Sequence, residues 1–188
     1  MTLKLTTAVA CGTTLVTAFL IAMTFAGTAS AGSCAHAKAA PKRVSDTDAQ
    51  RAVFCLLNKE RTERGLHRLH QNNELRRAAR NHSAYMRRHA CFSHECSGEA
   101  SIDGRLRAVH YLRSGLSRWL YGENIAYGKR RWASPKAMVK AWMHSAGHRE
   151  NILNPDFRDL GVGVIWGTFS NRKGRGGMYT TDFGLRRG

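Results

Sequence analysis

What this chain lacks narrows its chemistry before any motif is found. It has no CxxC pair, the spacing that most cysteine-held zinc sites use. It has no G-x-S-x-G elbow, so none of Ser93, Ser97 and Ser145 stands in a recognisable serine-hydrolase context. His144 and His148 are four apart, but the glutamate of a zinc-binding HExxH helix is missing and Gly147 interrupts the turn. No internal repeat is evident. Acids are scarce: 13 Asp and Glu stand against 30 Lys and Arg, a formal net charge of +17. Such an excess attracts polyanions, among them teichoic acids, acidic lipids, acidic polysaccharides and nucleic acid. Nucleic acid is not expected as a specific partner, because Lys129-Arg130-Arg131 and Arg186-Arg187 lack stacking aromatics in a known module.

The beginning of the chain reads as an export signal. One cation, Lys4, precedes an apolar run from Ala8 to Phe25, and the small residues Ala29-Ser30-Ala31 follow, so cleavage is expected after Ala31. A membrane anchor competes, since the run approaches the roughly 20 residues of a span; the small-residue ending and single flanking charge favour removal. A lipoprotein reading at Cys34 lacks the leucine expected three positions earlier. Removal leaves 157 residues, the size of one domain, and a net charge of +16, because Lys4 is the only charged side chain in residues 1–31. Residues 32–45 are small, polar and basic and read as a flexible arm; residues 46–188 read as one folded domain. Secretion to the extracellular side is the expected location, and a monomer the expected state.

Of five cysteines, Cys11 falls in the leader, which leaves Cys34, Cys55, Cys91 and Cys96. An even number in an exported domain points to two disulfides, with three pairings open. A Cys91–Cys96 bond would close a small loop around His94, and Cys34–Cys55 would then staple the arm to the first helix. A cysteine-held zinc is the competing reading.

Helical periodicity begins at Asp46, with Ala49, Val53, Cys55, Leu56 and Leu57 toward one side and Gly65 as a left-handed stop. A second helix starts with Asn72 or Asn73 as cap and runs through Leu75, Ala78, Ala79, His82 and Met86. Its other face carries Arg76, Arg77, Arg80, Arg87 and Arg88, expected to be solvated. Ile102, Leu106 and Val109 mark a third, short helix; Ser134-Pro135 opens another with Met138, Val139, Trp142 and Met143 on its apolar side. Residues 161–166 and 178–183 read as paired strands, separated by a basic, glycine-rich turn at 171–177. Helices mostly first and strands mostly last predict an α+β layered domain.

Three segments carry the candidate chemistry: Phe92-Ser93-His94, Gly122-Glu123-Asn124-Ile125-Ala126, and Trp142 with Gly147-His148-Arg149-Glu150-Asn151-Ile152. Glu123 heads into an apolar run, where an unpaired carboxylate costs several kcal/mol, so a cationic or hydrogen-bonding partner is required. Of His144 and His148, the latter is preferred, at the start of a short helix. Two imidazoles and one carboxylate could hold a divalent cation such as zinc with an open position for an acidified water. Without metal they form a hydrogen-bonded cluster with no nucleophile.

At these residues the chain resembles the CAP superfamily (cysteine-rich secretory, antigen 5 and pathogenesis-related proteins), and within it the bacterial SCP-like extracellular proteins. The match runs from about Val53 to Phe183, through Leu57-Asn58, Glu60-Arg61, Gly65-Leu66, Asn73, Leu75, Ala78-Ala79, His82, Met86 and the three segments, to Gly161-Val162-Gly163 and Asp182-Phe183-Gly184. The resemblance implies a three-layer α-β-α sandwich with an antiparallel sheet and a groove lined by His94, Glu123 and His148. It implies groove binding of a divalent cation or a small apolar ligand. Animal and plant members have a second glutamate three residues after the tryptophan; here that position is Ser145, and Glu95, Glu99 or Glu150 would have to substitute. Two functions follow as expectations. The first is a secreted binding protein with an anionic polymer or lipid as partner and without strong catalysis. The second is a metal-dependent hydrolase of peptide or phosphodiester bonds using His94, Glu123 and His148.

Overall fold

Ser45 opens the first helix, α1 (Asp46–Thr62), its hydroxyl accepting from the Asp48 amide at 3.0 Å. Acids at its start and Lys59 and Arg61 in its last turn suit the helix dipole. The computed structural model describes residues 33–169 and 173–188. The expected leader, residues 1–31, lies outside the described residues, as do residues 171–172 of the expected basic turn.

Asn72 caps α2 (Asn73–His89) by accepting from the Leu75 amide at 2.9 Å. The face formed by Leu75, Ala78, Ala79, His82 and Met86 is buried. The arginine row opposite is not uniformly solvated: Arg80 and Arg88 are exposed, but Arg87 is buried. The carboxylate of Asp46 feels the charges of Arg80 and Arg87, so an acid does stand near this row. Three shorter helices follow: α3 (Ile102–Ala108), α4 (Pro135–Met143, capped by Ser134) and α5 (Ala146–Leu153).

The strands are β1 (His70–Gln71), β2 (Arg118–Lys129), β3 (Asp159–Trp166) and β4 (Gly176–Arg187), in the order β1-β3-β4-β2. β3 and β4 pair antiparallel, as do β2 and β4, with Glu123 opposite Asp182. β1 joins β3 in parallel, so the sheet is mixed and not wholly antiparallel as expected. The long strand β2 was not foreseen from the sequence.

Alternation along β3 builds the two helical layers. Gly161 and Gly163 face α2, where a Cβ at either would overlap the backbone at Leu75 or Ala79; only glycine lets helix and sheet come this close. Val162 and Val164 face the other way, into a core with Val53 and Leu57 of α1, Val139 and Trp142 of α4, and Ile152 of α5. On the α2 side, Leu75 and Ala78 pack with Leu106, Tyr111 and Leu112, and Met86 with Ile125 and Met178. The result is an α+β sandwich of three layers.

Disulfides join Cys34 to Cys55 and Cys91 to Cys96. The first fastens the segment ahead of α1 to that helix, and the second closes the short loop that carries His94.

Candidate functional site

The middle of β2 delivers the carboxylate. Gly122 leaves room for α5: a Cβ there would meet Asn151 Oδ1 at 2.7 Å and Phe157 Cζ at 3.1 Å. Asn151 Nδ2 donates to the Glu123 carbonyl at 3.2 Å and to Asn124 Oδ1 at 2.9 Å, while Asn124 Nδ2 donates to the His148 carbonyl at 3.0 Å. These amides seat α5, the helix that carries His148, against β2. The far end of α5 is held from α1, where the fully buried guanidinium of Arg61 donates to the carbonyls of Ile152 (2.7 Å) and Asn154 (2.9 Å). Cations at a helix C-terminus are favourable there.

Glu123 is almost entirely buried, and both of its oxygens are engaged. His94 Nδ1 donates to Oε1 at 2.7 Å, and Arg105 Nη2 donates to Oε2 at 2.6 Å. Arg105, on α3, is itself buried and also donates to the carbonyls of His94 and Ala100. Burial alone would push the Glu123 carboxyl up. The hydrogen bond from His94, the imidazole of His82 and the Arg105 guanidinium outweigh it and hold the group below the usual range, as an anion. His82, fully buried on α2, contacts Glu99 Oε2 through Nδ1 at 2.7 Å, and its Nε2 lies 3.8 Å from Glu123. Across the ladder, burial and the charge of Glu123 drive the Asp182 carboxyl well above its ordinary value. Asp182 therefore holds its proton more tightly than an ordinary carboxyl, beside a Glu123 that releases its own more readily.

The imidazoles face a different environment. The side chain of His94 is 45% exposed, and with Nδ1 committed to Glu123 its Nε2 is left for a proton or a ligand. His148 is half-buried; its Nδ1 pairs with Ser145 Oγ at 2.9 Å, and burial followed by the charge of His94 holds it below its ordinary value. His144 instead bonds the Lys140 carbonyl and takes no part. Among the glutamates that could substitute at the Ser145 position, Glu99 enters the cluster only through His82 and Arg105; Glu95 and Glu150 are exposed.

His94 and Glu123 thus stand in contact, with Arg105, Asp182, His82 and Glu99 around them, and His148 lies near enough to His94 to feel its charge. Arg105 and Asp182 were not foreseen as site residues. The signal available was the position of Arg105 beside Leu106, on the inward side of a short helix, but no neighbouring residue identifies its partner.

This donor set does not fit a resident divalent cation. A protein zinc centre draws three or four ligands, whereas both Glu123 oxygens are already engaged by Arg105 and His94, and Ser145 stands at the second acidic position. Among the described residues no three metal-ligating side chains converge in a geometry that could hold an ion. What remains is an imidazole oriented by a carboxylate, able to accept or donate a proton, next to a neutral imidazole and a hydroxyl.

The model of the cysteine-rich secretory protein family, CAP, matches residues 54–179. A Bacillus subtilis protein, YkwD, is 37% identical over 126 residues, covering 67% of this chain and 45% of its own length. A second B. subtilis protein, YlbC, described as a membrane protein, is 34% identical over 131 residues, covering 66% and 36%. The chain therefore spans less than half the length of these curated relatives. The crystal structure of an extracellular SCP-domain protein from Bacillus anthracis superposes with a TM-score of 0.57 at 26% identity, covering 74% of this chain and 43% of that one. An outer surface protein of Borrelia burgdorferi gives 0.62 at 18% identity, covering 78% and 99%, a likeness of fold alone.

Proposed function

The chain belongs to the cysteine-rich secretory protein (CAP) family, and from that premise we propose that it works outside the cytoplasm as a binding domain. It takes a ligand in the groove around His94, Glu123 and His148, and it holds anionic partners of the cell envelope or its surroundings through its basic surface. Two disulfides suit an oxidising compartment, and an extracellular SCP-domain protein is among its structural relatives.

The observation that carries this reading is the engagement of Glu123. Its charge is answered internally by Arg105 and His94, so the groove offers solvent imidazoles and a hydroxyl, not a free carboxylate to bind a cation or activate water. Ser145 bonds His148, but no acid orients that imidazole, and the imidazole that an acid does orient, His94, has no hydroxyl or thiol partner among the described residues, so binding is favoured over strong catalysis. The surface charge of +16 after leader removal supplies the second half of the reading.

The test is equilibrium binding of the mature protein to polyphosphate beads and to phosphatidylglycerol vesicles at physiological salt, where exposed charges are screened over about 8 Å. Retention on either supports the anionic-partner reading; retention on neither overturns it.

A further inference from the structure

Where β2 ends, the chain enters a 3-10 turn, Arg130–Ala133, and an unmatched patch of charge forms there. Lys129, Arg130, Arg131 and Arg175 are all exposed, and none takes part in an ion pair among the described residues. They line an open groove of about 920 Å³ together with Ala40, Pro41 and Trp132, and no carboxylate lines it. The scarcity of acid is a property of the sequence here: residues 124–149 and 160–181, which supply the turn and Arg175, contain no Asp or Glu.

In the middle of these cations stands Trp132, 64% exposed, more than Trp119 or Phe92, the other exposed large apolar side chains. Arg131 lies over its ring, with the guanidinium carbon 4.9 Å from the ring centre. The turn is fixed from beneath. Arg130 adopts φ +53° and its amide donates to the Arg175 carbonyl at 2.6 Å, while the hydroxyl of buried Tyr179 donates to the Ala133 carbonyl at 2.6 Å. The patch is thus presented on a rigid edge.

We infer that this turn docks on an anionic phospholipid surface, with Trp132 at headgroup depth and the four cations on lipid phosphates. This deepens the anionic-partner reading and rests on it. A single amphipathic ring among clustered guanidinium and ammonium groups suits the water–lipid interface, where tryptophan settles and surface charge draws basic side chains. A single-stranded nucleic acid asks for several stacking rings along a basic track, and only one ring is offered here.

The experiment is co-sedimentation of the mature protein with phosphatidylglycerol and phosphatidylcholine vesicles in about 0.15 M salt, alongside polyphosphate beads. Four proteins are compared: wild type, Trp132→Ala, the double variant Arg130→Gln/Arg131→Gln, and Trp119→Ala as a control at another exposed ring. Circular dichroism confirms that each is folded. Wild type and Trp119→Ala bind the anionic vesicles and not the neutral ones. The double variant loses about fivefold in partitioning per cation removed. Trp132→Ala loses vesicle binding but keeps polyphosphate binding, which separates a bilayer from a polymer. If Trp132→Ala binds vesicles as well as wild type, or if wild type binds polyphosphate alone, the lipid-docking inference is overturned while the anionic-partner reading stands. If wild type binds neither, both fall.

Discussion

The cluster around Glu123 and the turn around Trp132 handle charge in opposite ways. In the first, two carboxylates, a guanidinium and two imidazoles are sealed or half-sealed together, each answered within hydrogen-bonding range or close to it. In the second, four cations share one edge and none forms an ion pair among the described residues. The difference follows from solvent. A charge removed from water costs several kcal/mol unless a partner is supplied from within, whereas a hydrated one costs little and remains free for something outside. The cluster should therefore govern stability and the turn should govern association.

The sharpest way to break that division is at Arg105. Arg105→Ala takes the guanidinium from buried Glu123 and leaves only His94 bonded to it, and the loss expected from denaturant unfolding is about 3–5 kcal/mol. A loss below about 1 kcal/mol would mean that the interior charges are not interdependent.

Asp182 tests the same cluster with the opposite sign. Its carboxyl is raised in the fold by burial and then by Glu123, so the unfolded chain ionises it first, and stability drains away as pH rises above 3.8. Glu123 is lowered; its contribution is present above 4.5 and disappears as pH falls through its folded value. Asp182→Asn keeps a hydrogen-bond donor for Glu123 and removes the cost of neutrality. Its melting temperature at pH 7 is expected above that of wild type, with the advantage gone near pH 3. A lower melting temperature at pH 7 would show that the proton on Asp182 is not what the fold constrains.

A subtler effect belongs to the solvent-facing side of the cluster. Burial and His94 lower His148, so in the fold it protonates below 6.5, and the folded state weakens as pH drops below that value, where the unfolded imidazole takes its proton first. An NMR titration should find the His148 midpoint below 6.5 and moved upward in His94→Ala. An unmoved midpoint would separate the two imidazoles.

At the turn, Arg130→Gln/Arg131→Gln is expected to change unfolding free energy by less than about 0.5 kcal/mol, as for exposed substitutions in general. A larger loss would erase the contrast between the regions.

The chemistry of the cluster was legible where a residue type alone implies it. His94, Glu123 and His148 stood out because imidazole and carboxylate are rare beside apolar runs, and the need of Glu123 for a partner could be argued from desolvation alone. A histidine partner for Glu123 was the natural expectation, but Arg105 was not legible, since α3 meets β2 only through tertiary packing. The strand β2 was hidden for a related reason. Trp119, Leu120, Tyr121, Ile125 and Tyr127 favour a strand, but Gly122, Glu123, Asn124 and Gly128 break its pattern. Gly122, Glu123 and Asn124 seat α5 and form the site, so function obscured the local signal. β1, only two residues long, has no period to read, and with it went the parallel pairing. The helices were clear because their caps, Asn72 and Ser134, and their apolar spacing agree.

Arg61 carries a consequence that reaches beyond its own helix. It belongs to α1, yet its Nη1 grips the carbonyls that end α5 while its Nε donates to the His67 carbonyl, and a lysine, with one nitrogen, could not reproduce that divided hold. Damage to this anchor would let the helix bearing His148 drift. A screen that scored only changes around His148 would then map the lesion to the wrong end of the molecule.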